Sequence, residues 1–261
     1  MLLDLAHGTV EVDTAGSGPS LVIIHSLLTG PEAFDDATRS VSEHHTVHRI
    51  SLPGFGKSSE LPTPNPSVAD LADVIAATMV LLGCDSDTAV LGNGLGSFVA
   101  LTLAINHGDT FGSLIASNTG PGFPADRKGA FTTMSELAEE GGMAAVADVA
   151  LQRIFPTPYI EAHPTALPER RMVLESIGPR AFAAACRALA VLDLSDDLHR
   201  VANRTLVIAG AIDQTTPPAM GQQVADLIPD ARMVEIPDCG HCPQLEQPQT
   251  LVQAIVEFLG S

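Results

Sequence analysis

Positive charge is what this chain has least of. Only 13 Lys plus Arg stand against 31 Asp plus Glu, a formal net charge of −18. That balance argues against nucleic acid and anionic membrane surfaces as partners and otherwise serves solubility. No stretch approaches the roughly 20 apolar residues of a membrane span. The opening MLLDLAHGTV has no basic n-region and no long apolar h-region, so no signal peptide is expected there. Four cysteines in 261 residues, Cys84, Cys186, Cys239 and Cys242, are too few for a disulfide scaffold. A cytoplasmic protein acting on a small molecule is expected. Internal repeats and low-complexity segments are absent as well.

What is present is an ordinary globular composition, 45% hydrophobic, enough for a sizeable core in one α/β domain or a core with an insertion. GTVEVDTAG (8–16) alternates as an opening strand. SLVIIH (20–25), TVHRIS (46–51), TAVLG (88–92) and SLIASN (113–118) are short apolar runs of the kind buried on both faces of a parallel sheet. Between them, residues 31–44, 67–83 and 95–108 carry helical spacing with Pro, Ser and Gly at fitting ends. Strand and helix alternate, which predicts an α/β fold with helices on both sheet faces. From 121 to 194 only helical patterns occur. The alternation resumes with RTLVIAGA (204–211), a helix near PPAMGQQVADLIP, the strand ARMVEIP (231–237) and a helix over 248–259. The division is therefore a core of residues 1–120 and 195–261 with a helical lid at 121–194, placed to set specificity.

The chemistry concentrates in LGNGLGSF (91–98). Gly92 and Gly96 stand where a G-x-S-x-G nucleophile elbow has its glycines, in the required strand–turn–helix context. The strained central position, where serine belongs, is Gly94. Downstream, IAGAIDQTTPP places Asp213 just past a buried strand, and PDCGHCPQLEQP places His241 in the loop after the next one. Elbow, acid and histidine fall in the order this fold uses. HSLLTG, after the strand LVII, supplies the early loop of an oxyanion hole, with the Leu27 and Leu95 N–H groups as candidate donors. His25 and Ser26 in the same loop are candidate substrate-binding residues.

On these motifs, together with LPGFGKS, EEGGMAAVADVALQRIF, CRALAVLDLSDDL and GHCPQLEQP, the chain resembles the α/β-hydrolases over essentially its whole length. It is most similar to the 3-oxoadipate enol-lactonase group, with the carbon–carbon hydrolases of aromatic degradation next. The resemblance implies a Ser–Asp–His triad, an α/β-hydrolase fold with an inserted lid, and no metal or cofactor. Asp213 and His241 match the triad; Gly94 matches the serine in location alone.

Cys239-Gly240-His241-Cys242 is also a C-x-x-C, but Pro243 follows where redox chemistry wants a helix N-terminus, so the cysteines read as neighbours of the histidine. A zinc site lacks a second ligand pair. No substitute nucleophile stands out. Ser97 lies a turn into the helix, Ser26 reads as a turn residue able to donate a hydrogen bond, and Cys242 adjoins the histidine itself. Three explanations remain: a serine-to-glycine substitution that traps substrate, a water-based route with His241 as general base held by Asp213, or a non-catalytic small-molecule binder. The same base would also serve a cofactor-free lyase, isomerase or oxygenase. A pure binder has no use for Asp213 behind His241, so a hydrolase of a lactone, an ester or an activated carbon–carbon bond is expected. Arg127, Arg153 and Arg187 in the lid segment are candidates for meeting a substrate carboxylate but are not assigned to the site.

Overall fold

The computed structural model describes residues 1–260, the side chains of residues 152 and 153 excepted. In chain order the elements are β1 (Leu2–Leu5), β2 (Gly8–Gly16), β3 (Ser20–Ile24), α1 (Asp35–Val41), β4 (Thr46–Ile50), α2 (Val68–Leu82), β5 (Ala89–Asn93), α3 (Leu95–His107) and β6 (Ser113–Ser117). Four helices follow: α4 (Ala125–Ile154), α5 (Thr157–Ala162), α6 (Ala166–Glu175) and α7 (Pro179–Val191). The chain then continues through β7 (Arg204–Gly210), α8 (Pro218–Leu227), β8 (Ala231–Ile236), α9 (Pro243–Glu246) and α10 (Pro248–Leu259).

The strands form one sheet in the order β1-β2-β4-β3-β5-β6-β7-β8. β1 and β2 enter antiparallel and the remaining neighbours are parallel. The continuous apolar runs of the parallel strands follow from burial on both faces, because successive side chains point to opposite sides. On β3, Leu21 and Ile23 join Phe34, Val41, Leu251 and Phe258 on one side. Val22 and Ile24 join Ile75, Phe98 and Leu101 on the other.

Two local expectations change. β1, a four-residue strand paired with β2, was not anticipated, because LLDL is too short to show a period. The single helix expected over 31–44 begins as a 3-10 turn, Pro31–Phe34, and is α-helical only over Asp35–Val41. By contrast α2 starts on a capping box, with Ser67 Oγ accepting from Asp70 N–H and the Asp70 carboxylate accepting from Ser67 N–H, and it stops on Gly83 in the left-handed region.

Between β6 and β7 the chain leaves the sheet and returns to nearly the same point. Leu194 N–H donates to Pro121 O at 2.7 Å, and Gly122 pairs with Asp193. This clasp holds the four-helix segment over the C-terminal ends of the strands. α4 breaks at Gly142, whose φ of 71° interrupts the helix. No helix among the described residues is long and apolar enough to cross a membrane.

Candidate active site

β5 runs directly into α3 through Gly94, whose φ of 52° and ψ of −120° turn the chain sharply. A side chain there is strained, and glycine adopts it freely. Gly96 matters for a different reason. A Cβ on it would lie 2.6 Å from His25 O, so its absence lets the first turn of α3 rest on the carboxyl end of β3. That contact brings the loop after β3, Ser26 to Thr29, alongside Gly94.

Asp213 and His241 meet across the ends of β7 and β8. Ile212 N–H donates to Cys239 O at 3.0 Å, joining the two loops. His241 Nδ1–H donates to Asp213 Oδ2 at 2.8 Å, which leaves Nε2 as the acceptor. The carboxylate is held by everything around it. Thr215 and Thr216 N–H donate to Oδ1 at 2.7 and 3.2 Å, and Thr216 Oγ1 (2.8 Å) and Asn118 Nδ2 (2.9 Å) donate to Oδ2. Burial pushes the Asp213 pKa up, but the adjacent His241 charge and these donors outweigh it and hold the group at about 2. Burial likewise pushes His241 down, and the charge and hydrogen bond of Asp213, helped by Glu246, outweigh it and leave the imidazole above its ordinary 6.5.

Beneath the pair lies a polar network that inspection of the sequence missed. Asn118 Nδ2 also donates to Gly240 O, Asn93 Nδ2 donates to His241 O and to Asn118 Oδ1, and Gln244 Nε2 donates to Asn93 Oδ1. Glu246 grips the histidine loop from outside, accepting from Gly240 N–H at 2.7 Å and Cys242 N–H at 2.9 Å. Each is a single polar residue in or beside a turn, with no period to betray it. Asn118, just past β6, takes φ of 52°, a left-handed turn that marks a specialised position, but a backbone angle is invisible in the sequence.

His241 Nε2 opens onto a cavity of about 60 Å³ lined by Ser26, Leu27, Leu28, Gly94, Leu95, Phe98, Thr215 and Thr216 from the core and by Phe123, Phe131, Met134, Ile154 and Leu189 from the helical segment and its approach. Among the described residues the Leu27 and Leu95 N–H groups donate to no protein acceptor, although both residues are buried. Two unpaired buried donors at the mouth of a cavity suit an oxygen that gains negative charge. A larger cleft of about 700 Å³ lies between α7 and residues 53–66, but it touches neither Asp213 nor His241. His241 lines the smaller space.

His25 is corrected as a substrate-binding residue. It is fully buried outside that cavity, with Nδ1–H donating to Ser26 O at 2.8 Å and Nε2 accepting from Leu52 N–H at 3.0 Å. Burial lowers its pKa, consistent with a neutral ring fixing the loop. Ser26 does reach the cavity. Its Oγ takes the space beside Gly94 that a Cβ there would need, and His241 Nε2 lies 3.2 Å from that same point. Ser97 Oγ instead donates to Gly94 O at 2.7 Å. Cys239 and Cys242 are buried thiols with pKa values pushed up by burial, unsuited to dithiol exchange. Arg127 donates to the Gln214 and Thr215 carbonyls, and Arg187 is tied to Asn65, Ser135 and Glu139. The Arg153 side chain lies outside the described ones.

Comparison with known proteins agrees with this architecture. A family model described as "Alpha/beta hydrolase family" matches residues 21–254. A pimeloyl-[acyl-carrier protein] methyl ester esterase of Chromobacterium violaceum is 28% identical over 260 residues, covering 95% of this chain and 97% of its own. Among solved structures, the enol-lactonase of Burkholderia xenovorans superposes with a TM-score of 0.93 at 24% identity, covering 100% of both chains, a likeness of fold. A thermophilic esterase of Thermogutta terrifontis gives 0.92 at 25% identity, covering 100% of this chain and 98% of that one.

Proposed function

The chain belongs to the alpha/beta hydrolase family and is a hydrolase in class, and we propose that it cleaves a small, uncharged ester or lactone without a serine at position 94. The observation that carries this is the pairing of His241 with Asp213, its free Nε2 turned to an apolar cavity beside two unpaired N–H groups. His241 Nε2 takes a proton from the attacking oxygen as that oxygen adds to the carbonyl carbon. The carbonyl oxygen becomes an anion between the Leu27 and Leu95 N–H groups. Its collapse expels the alcohol oxygen, which recovers the proton from His241. The base contributes about 10²–10⁴-fold and each oxyanion donor about 10²–10³-fold.

The lining supports a short acyl group. The cavity is far below the roughly 300–1,000 Å³ of common ligand pockets, and aromatic and aliphatic side chains form most of it. The helical segment over it acts as the lid that sets chain length. The names of the Chromobacterium violaceum and Thermogutta terrifontis proteins, both esterases, are in keeping with ester hydrolysis.

The test is a rate comparison on nitrophenyl esters and lactones of increasing acyl length, with and without a carboxylate, for the chain and its His241→Gln variant. Hydrolysis greatest for short uncharged acyl groups and lost in the variant is expected. Equal rates in both proteins refute the proposal.

A further inference from the structure

Resting on the hydrolase reading above, we propose that the attacking oxygen is Ser26 Oγ, a nucleophile supplied by the oxyanion loop in place of the elbow.

Four observations converge on Ser26. Its Oγ stands in the volume of the absent residue-94 side chain, and that volume is also within 3.2 Å of His241 Nε2. The residue is 3% exposed, yet among the described residues its hydroxyl makes no hydrogen bond. Its backbone, in contrast, is fixed: N–H donates to Thr29 Oγ1 at 3.2 Å and the carbonyl accepts from His25. Finally, the residue after it, Leu27, carries one of the two unpaired N–H groups. A nucleophile followed directly by an oxyanion donor is the local arrangement an elbow serine has with its successor. Here Ser26 and Leu27 repeat it from the other wall of the cavity.

A hydroxyl is a weak nucleophile until a base takes its proton. The Ser26 Oγ–H proton passes to His241 Nε2 as the Oγ–carbon bond forms and the carbonyl π pair moves onto oxygen. The oxyanion re-forms the carbonyl, the bond to the alcohol oxygen breaks, and that oxygen takes the proton from His241. Water then repeats the sequence on the Ser26 ester: its proton goes to His241, its oxygen bonds to the acyl carbon, and Ser26 Oγ leaves with the proton. Acid, alcohol and free serine result, with no other reactant. In the present conformation Ser26 Oγ and His241 Nε2 share no hydrogen bond, and such contacts are often looser without substrate.

The experiment treats the chain with a nitrophenyl alkylphosphonate, which phosphonylates an activated serine and releases nitrophenolate. The adduct is located by peptide mass spectrometry, beside ester hydrolysis by the chain, Ser26→Ala and Ser26→Cys. One phosphonate on Ser26 is expected, none on Ser26→Ala, and a fall in hydrolysis of about 10²-fold or more in that variant. Ser26→Cys keeps a nucleophile in place, and a thioester adduct trapped from substrate supports the assignment even if Ser26→Ala folds poorly. His241-dependent hydrolysis with no adduct on Ser26, or hydrolysis little changed in Ser26→Ala, overturns the inference and leaves water as the attacking group. Absence of ester and lactone hydrolysis in the unmodified chain instead removes the hydrolase reading beneath it.

Discussion

Ser26 and Gly94 compete for one volume. The Ser26 hydroxyl fills the place that a Cβ on residue 94 requires, and its own Cβ is 3.1 Å from that point. Gly94→Ala therefore displaces the hydroxyl without offering a new one, and esterase activity is expected to fall by about 10²-fold or more. Gly94→Ser displaces it and supplies another, moving the phosphonate adduct from residue 26 to residue 94. Both variants place a side chain at φ of 52°, costing about 1–3 kcal/mol in urea unfolding. Unchanged activity in Gly94→Ala contradicts the competition.

The approach of α3 to β3 is a backbone contact with no slack. A Cβ at Gly96 meets His25 O at 2.6 Å, and neither backbone can yield as a side chain does. Gly96→Ala is expected to lose about 1–3 kcal/mol of stability and to lower kcat by separating Ser26 and Leu27 from position 94. A variant with full kcat at unchanged stability contradicts this.

These contacts also show how far the sequence was legible. Asp213 and His241 stood out because each follows a strand, in a fixed order after the elbow, and the structure brings them within a hydrogen bond. The alternation of apolar strands and helices prescribed the sheet, since burial on both faces leaves a continuous apolar run. Ser26 was legible as a member of the oxyanion loop and a substrate-binding candidate, but not as the occupant of the residue-94 volume, because nothing in one dimension relates it to Gly94, 68 positions away by subtraction of their numbers. Their meeting depends on the close packing that Gly96 permits. Asn118, Thr216 and Glu246 were silent because a lone polar side chain has no period: Asn118 meets Asp213 and Gly240 across the sheet, while Thr216 and Glu246 reach nearby residues only through the way their own loops fold.

Thr216 Oγ1 is one of the donors that keep Asp213 ionised. Thr216→Val removes it without changing shape, leaving a buried carboxylate short of a partner, at a cost of about 1–3 kcal/mol. Asp213 has its pKa depressed to about 2 from 3.8, so its contribution to stability is full above about pH 4 and lost as pH falls toward 2. In the variant the folded-state pKa lies closer to 3.8, so that contribution is smaller and is exhausted at a higher pH. Superimposable acid-unfolding curves for the two proteins contradict the assignment.

Glu246 both holds the histidine loop and adds negative charge near His241. Glu246→Gln retains one acceptor oxygen but turns an amide N–H₂ toward a backbone N–H. We expect a stability loss of about 1–3 kcal/mol and a lower His241 pKa, read as displacement of the acid limb of the rate profile to lower pH. A limb that stays in place contradicts an electrostatic role.

The proposed chemistry requires His241, held by Asp213 and stabilised in its charged form by it, to be the base of this site. Its pKa is raised above 6.5, and only the neutral imidazole accepts a proton, so activity must increase as pH rises through that value. Any stability the charged pair adds runs the other way, present at low pH and lost as pH passes the folded-state pKa. The most direct measurement is kcat/KM against pH for one short-chain ester, in the chain and in Asp213→Asn. The prediction is an acid limb with an apparent pKa above 6.5, moved lower in Asp213→Asn, whose rate falls by about 10⁴-fold. A profile without that limb, or one unmoved by Asp213→Asn, contradicts the account.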